Sequence, residues 1–266
     1  MDISASKQQS ILSALSVLER EQGIDVLLAC ESGSRAWGFA SPDSDYDVRF
    51  IYRHEKNWYL TLCPEKDNID LMLPGELDLS GWDIRKTLQL YAKSNIGLFE
   101  WLGSPMVYRA DAAFLLSMQQ QIAHFFSPIK GFNHYLSQAK KTYHNFLLAE
   151  QVGIKKVFYW LRPMMACAWI QHQKTMPPTA FQALIEGDWV TPQEKNWIQA
   201  WLMEKQTADE GALFAIPAEQ RLWMTRLLAQ FSEISQDFPA NNPANADWPD
   251  RFFLDQLSVD SMRRQD

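Results

Sequence analysis

Two short motifs ten residues apart constrain this chain most: Gly33-Ser34, then Asp45-Tyr46-Asp47-Val48. Gly33 has no Cβ, so the backbone can turn tightly and approach a phosphate closely. Ser34 adds a hydroxyl. The apolar run Ile24–Cys30 before the turn reads as a buried strand, and Tyr46–Tyr52 reads as a second strand. Side chains on a strand alternate faces, so Asp45 and Asp47 share one. Paired carboxylates suit Mg²⁺ or Mn²⁺, which take oxygen ligands. A turn that admits phosphate beside a pair of acids suits a nucleoside triphosphate held with divalent cations.

A two-metal site needs a further acid from a neighbouring strand. Asp70, in Asn68-Ile69-Asp70-Leu71-Met72, lies in a third apolar segment that closes at Pro74-Gly75. Asp78 is its competitor. Asp70 is preferred because Ser80, with Asp83 three residues on, reads as the start of a helix close behind Asp78. Arg35 either reaches a phosphate or pairs with Asp43. Lys155, Tyr159 and Arg162 recur at helical spacing and form one face. That face suits a triphosphate or an acceptor strand, because arginine forks match phosphate oxygens. Lys140 and Lys141 extend it, and Trp37 is a candidate for stacking on a base.

The rest of the chain places these motifs. Residues 6–22 carry a helical stripe, and the first ~110 residues alternate helices and strands. From Asp111 onward the pattern is helical, with helices near 111–125, 129–150, 154–174, 178–186, 192–207 and 217–236 and a short one after Pro249. Thr191-Pro192-Gln193-Glu194 carries a cap, an N1 proline and a capping-box glutamate. Phe238–Asn245 reads as a linker. The expected fold is α+β: a small mixed-sheet domain over 1–115, then an all-helical domain over 116–266. Of the 266 residues 47% are hydrophobic, enough for a substantial core, and the net charge of −7 argues against general attraction to nucleic acid or anionic membranes. Cys30, Cys63 and Cys167 lack metal spacing and read as reduced thiols of a cytoplasmic protein. No signal peptide or membrane span is read.

The spacing Gly-Ser, ten residues, Asp-x-Asp and a later acid resembles the DNA polymerase β-type nucleotidyltransferase superfamily. More narrowly, the chain is similar to a nucleotidyltransferase family related to RNA-repair-ligase-associated proteins. Glu31-Ser32-Gly33-Ser34-Arg35-Ala36-Trp37-Gly38-Phe39, Ser44–Tyr52, Ser80–Lys86, Lys93-Ser94-Asn95 and Phe99–Leu102 carry that likeness, with Leu161-Arg162-Pro163 and Pro177-Pro178 in the helical half. It spans residues 20–182. Ser32 departs from the wider superfamily, which has an apolar residue before the glycine. The resemblance implies that Gly33 and Ser34 hold the triphosphate and that Asp45, Asp47 and Asp70 hold Mg²⁺ or Mn²⁺. It also implies transfer of a nucleoside monophosphate from an NTP to a hydroxyl, with an RNA end as the expected acceptor. A protein hydroxyl is the alternative acceptor, and a nucleotide-binding scaffold without catalysis is a third reading.

Overall fold

The computed structural model describes residues 3–41, 44–63, 65–207, 212–234, 238 and 246–263. In chain order the elements are α1 (Ala5–Gln22), β1 (Ile24–Glu31), α2 (Gly33–Trp37), β2 (Tyr46–His54), β3 (Asn68–Leu73), β4 (Leu77–Asp83), α3 (Ile84–Ala92), α4 (Ile96–Leu102), β5 (Val107–Ala110) and α5 (Ala112–Phe125). They continue with α6 (Pro128–Thr142), β6 (Val152–Gly153), α7 (Ile154–Gln173), α8 (Phe181–Ile185), α9 (Pro192–Thr207), β7 (Leu213–Phe214), α10 (Ala218–Ile234) and α11 (Trp248–Arg263). The fold is the mixed α/β arrangement expected, with a helix-rich remainder.

The chain groups into two units, each drawn from separated segments. The first contains residues 1–36, 45–125 and 243–266, and the second 37–44 and 126–242. A single boundary at residue 115 does not describe this grouping. The last helix belongs with the sheet, because its aromatics pack on that unit. Trp248 stacks on Phe252 and packs against Tyr91 and Phe125. Phe252 stacks on Phe114. The Gln256 carbonyl accepts a 2.8 Å hydrogen bond from the buried Arg53.

In the first unit a five-stranded sheet runs in the order β3-β4-β2-β1-β5. β2 and β4 are parallel, whereas the other neighbours are antiparallel. Ser4 caps α1, whose Ile11, Leu15 and Leu18 pack on Val26, Ala29, Val48, Phe50, Tyr52, Leu77 and Leu79. Burying each such aliphatic side chain is worth roughly 1.5–3 kcal/mol, so this layer fixes which face of β2 and β4 points inward. Alternation then turns Asp47, Arg49, Asp78 and Ser80 to the opposite face.

The helix start expected at Ser80 is instead β4. Leu77, Leu79, Gly81 and Asp83 alternate into the interior, and Asp83 caps α3 by accepting the Arg85 N–H at 2.8 Å. Gly81 is required here: a Cβ would lie 2.2 Å from the Phe50 ring.

The second unit is built around α6 and α7, joined through a π-helical segment, Tyr143–Leu147. Arg221 of α10 donates to the carbonyls of Leu147, Ala149 and Glu150, groups that this segment leaves without helical partners. The Thr191–Glu194 capping box forms in both directions. A two-residue pairing of β6 with β7 is the strand content that the helical reading of this half lacked. Most of the expected linker at 238–245 lies outside the described residues.

Candidate active site

β1 ends at Glu31 and the chain turns at Gly33, whose φ is +60°. That backbone favours glycine, and the space leaves no alternative: a Cβ would lie 2.2 Å from Asp47 Oδ2. The missing Cβ is where the Asp47 carboxylate sits. The Ser32 N–H donates to the Asp47 carbonyl at 2.8 Å, which ties the turn to the first strand residues of β2. Ser34 is buried. Arg35 spans the gap between the motifs. Its Nε donates to the Asp45 carbonyl at 3.1 Å, and its guanidinium lies 3.9 Å over the Tyr46 ring. The alternative partner, Asp43, lies outside the described residues. Asp45 is exposed, immediately before β2.

Sheet register decides what stands beside Asp47. Asp47 is opposite Asp78, and Arg49 is opposite Ser80. Asp70 is opposite Ser80 on the outer strand β3, so β4 lies between it and β2. Ser80 and Asn68 both donate to the Asp70 carboxylate. The acid adjoining Asp47 is therefore Asp78, and Asp70 lies one strand farther out. Arg49 links the neighbouring pair: its Nη2 is 2.8 Å from Asp78 Oδ2 and 3.1 Å from Asp47 Oδ1. Its Nη1 donates to the carbonyls of Asp78 and Val48.

Behind Asp47 lies Glu31, which is fully buried. Its Oε1 accepts the Asp47 N–H at 2.8 Å, and its Oε2 accepts the Tyr108 hydroxyl. Burial pushes the Glu31 carboxyl above its ordinary range, and the two hydrogen bonds offset part of that shift. Burial likewise keeps Cys30 and Cys167 as thiols. Glu31 and Arg49 join the candidate site through their contacts with Asp47, although neither belongs to the Gly-Ser or Asp-x-Asp motif. Their signals were an acid ending an apolar strand, and a cation two residues beyond Asp47 on the same face.

In the helical unit, α7 is buried from Val157 to Ala168 except at Tyr159. Arg162 is only 1% exposed. Its guanidinium lies 4.6 Å from the Trp37 ring, and its Nη2 donates to the Thr179 carbonyl at 3.3 Å. Lys155, Tyr159 and Arg162 thus do not form one solvent-facing stripe, because apolar side chains surround α7 at this level and Arg162 turns inward. Trp37 packs against Tyr159 and Phe39 as well, so its ring is engaged in the loop's own packing.

Among the described residues, no group of three His, Cys, Asp or Glu side chains is gathered closely enough to hold a metal ion. The donor set still fits one. Two carboxylates meet across parallel strands and Gly33 leaves a cradle at one of them, oxygen donors of the kind a divalent cation takes. No described helix is long and apolar enough to cross a membrane.

A family model described as "RNA repair pathway DNA polymerase beta family" matches residues 8–255. The chain is 40% identical over 203 residues to "Uncharacterized protein YcgL" of Bacillus subtilis (strain 168), covering 76% of this chain and 78% of the relative. Among solved structures it is similar to a nucleotidyltransferase-like protein from Exiguobacterium sibiricum 255-15. There the TM-score is 0.33 and the identity 13%, over 86% of this chain and 74% of the other.

Proposed function

We propose, from the premise that this chain belongs to the RNA repair pathway DNA polymerase beta family, that it transfers a nucleoside monophosphate from an NTP to the hydroxyl of an RNA end. The observation that carries the reading is the seating of Asp47 in the space left by Gly33, directly across from Asp78. In this reading Asp45 and Asp47 hold Mg²⁺ or Mn²⁺, and Asp78 takes the third-acid role in preference to Asp70. The metal supplies charge neutralisation at the phosphates and lowers the pKa of an oxygen bound to it.

The protein's part is positioning, because phosphoryl-type transfer makes little use of covalent chemistry by the enzyme. Gly33 and Ser34 hold the triphosphate against the turn. Arg35 keeps the turn and Asp45 in fixed relation. Glu31 and Tyr108 hold Asp47 from behind through its N–H. Asp78 accepts the proton of the attacking hydroxyl. The acceptor oxygen bonds to the α-phosphorus, the bond from that phosphorus to the bridging oxygen breaks, and pyrophosphate leaves.

The test is incubation with NTPs labelled at the α-phosphate, with Mg²⁺ or Mn²⁺, in the presence of RNA bearing free 3′-hydroxyls and of protein acceptors. Label on RNA supports the reading. Label on protein alone refutes the acceptor assignment, and no label on any acceptor refutes transfer.

A further inference from the structure

Arg49 forms an ion pair with each acid of the Asp47–Asp78 pair. The strand period returns it to their face, two residues after Asp47. Its Nη2 is shared between carboxylates of two parallel strands at 3.1 and 2.8 Å. Its Nη1 rests on the carbonyls of Val48 and Asp78 at 3.3 and 3.2 Å. One end of the guanidinium is thus held by main chain, and the other end alone grips carboxylate. The acids remain reachable: each side chain is 31% exposed, and that of Arg49 is 18% exposed.

We infer that Arg49 is the resident counter-cation of this site and is exchanged for the divalent metal when the site loads. The inference rests on the metal-binding role proposed above for Asp47. A guanidinium and a divalent cation on the same carboxylate repel each other strongly at these distances, in surroundings less polar than water. Loading therefore requires Nη2 to leave Asp47. The Nη1 contacts let it leave without unseating the whole side chain. Between loadings Arg49 neutralises two acids that would otherwise repel each other across the β2–β4 boundary. It is a positioning residue, and it sets metal affinity.

The consequence runs against the usual effect of damaging an active site: removing Arg49 tightens metal binding. Mn²⁺ binding without nucleotide is measured by electron paramagnetic resonance on the full chain, with thermal melting to confirm folding. Arg49→Met is expected to bind Mn²⁺ roughly 10- to 100-fold more tightly than wild type. Arg49→Lys, which keeps the charge as a compact ammonium without the fork, is expected to bind Mn²⁺ less tightly than Arg49→Met. Arg49→Gln keeps amide donors for the two carbonyls and carries the same expectation as Arg49→Met should the latter fail to fold. Unchanged or weaker Mn²⁺ binding in a folded Arg49→Met or Arg49→Gln overturns the inference. Mn²⁺ binding indifferent to Asp45→Asn with Asp47→Asn overturns instead the reading on which it rests, so the two failures are distinguishable.

Discussion

Asp47 and Asp78 stand directly opposite each other on adjacent parallel strands, and one guanidinium nitrogen, Arg49 Nη2, lies within 3.1 Å of a carboxylate oxygen from each. Asp70 has no such relation to Asp47: its register partner is Ser80, and β4 intervenes. The proposed site thus makes the two candidate third acids unequal. Asp78→Asn is expected to lower the rate of pyrophosphate release by about 100-fold or more, the scale of losing a general base. Asp70→Asn is expected to stay within about threefold, as suits an acid on an outer strand. Equal losses in both variants, measured under one set of NTP and metal concentrations, contradict the assignment.

Gly33→Ala tests the cradle. The positive φ alone costs a non-glycine residue about 1–2 kcal/mol, and the new methyl meets Asp47 Oδ2 at 2.2 Å. The carboxylate must move. The expectation is a modest loss in denaturant midpoint together with loss of metal binding by titration. A variant that binds metal like wild type shows that Asp47 need not occupy this space.

Glu31→Gln separates charge from geometry, because the amide can still accept the Asp47 N–H and still meet the Tyr108 hydroxyl. Burial raises the folded-state pKa of Glu31 above its ordinary 4.5. For a carboxyl shifted upward, the folded state binds the extra proton, so stability falls as pH rises through the folded-state value. Below the ordinary value both states are protonated and Glu31→Gln should match wild type. Toward neutral pH wild type alone bears a buried charge, and the variant should become relatively more stable. Urea unfolding across that range checks the sign, and a stability advantage for the variant that shrinks with rising pH contradicts it.

Much of the first unit was legible in sequence. The α1 stripe, β1, β2 and β3 formed where periodicity placed them, and in the second unit the Thr191–Glu194 capping box formed as its capping chemistry predicts. β4 was not legible, because Ser80 and Asp83 imitate a capping box while Leu77 and Leu79 are too few to fix an alternation. β5 escaped as a four-residue edge strand. Choosing between Asp70 and Asp78 needed strand order and register, which no local spacing encodes. The burial of Arg162 was likewise hidden: helical spacing tells which residues share a face and not what that face meets.

Arg162 consequently carries a structural expectation. Truncating a fully buried arginine removes its packing on Trp37 and its hydrogen bond to the Thr179 carbonyl. Arg162→Ala should destabilise the fold by roughly 2–4 kcal/mol. Thermal unfolding measures it, and an unchanged midpoint with weakened NTP binding returns Arg162 to a ligand-binding role.

The most direct test of the proposed transfer uses α-labelled NTP and Asp45→Asn with Asp47→Asn, beside wild type, with Mg²⁺ or Mn²⁺ and RNA bearing 3′-hydroxyls. Wild type is expected to place label on RNA, and the folded double variant none above background. Label transferred by the double variant at the wild-type rate contradicts that expectation.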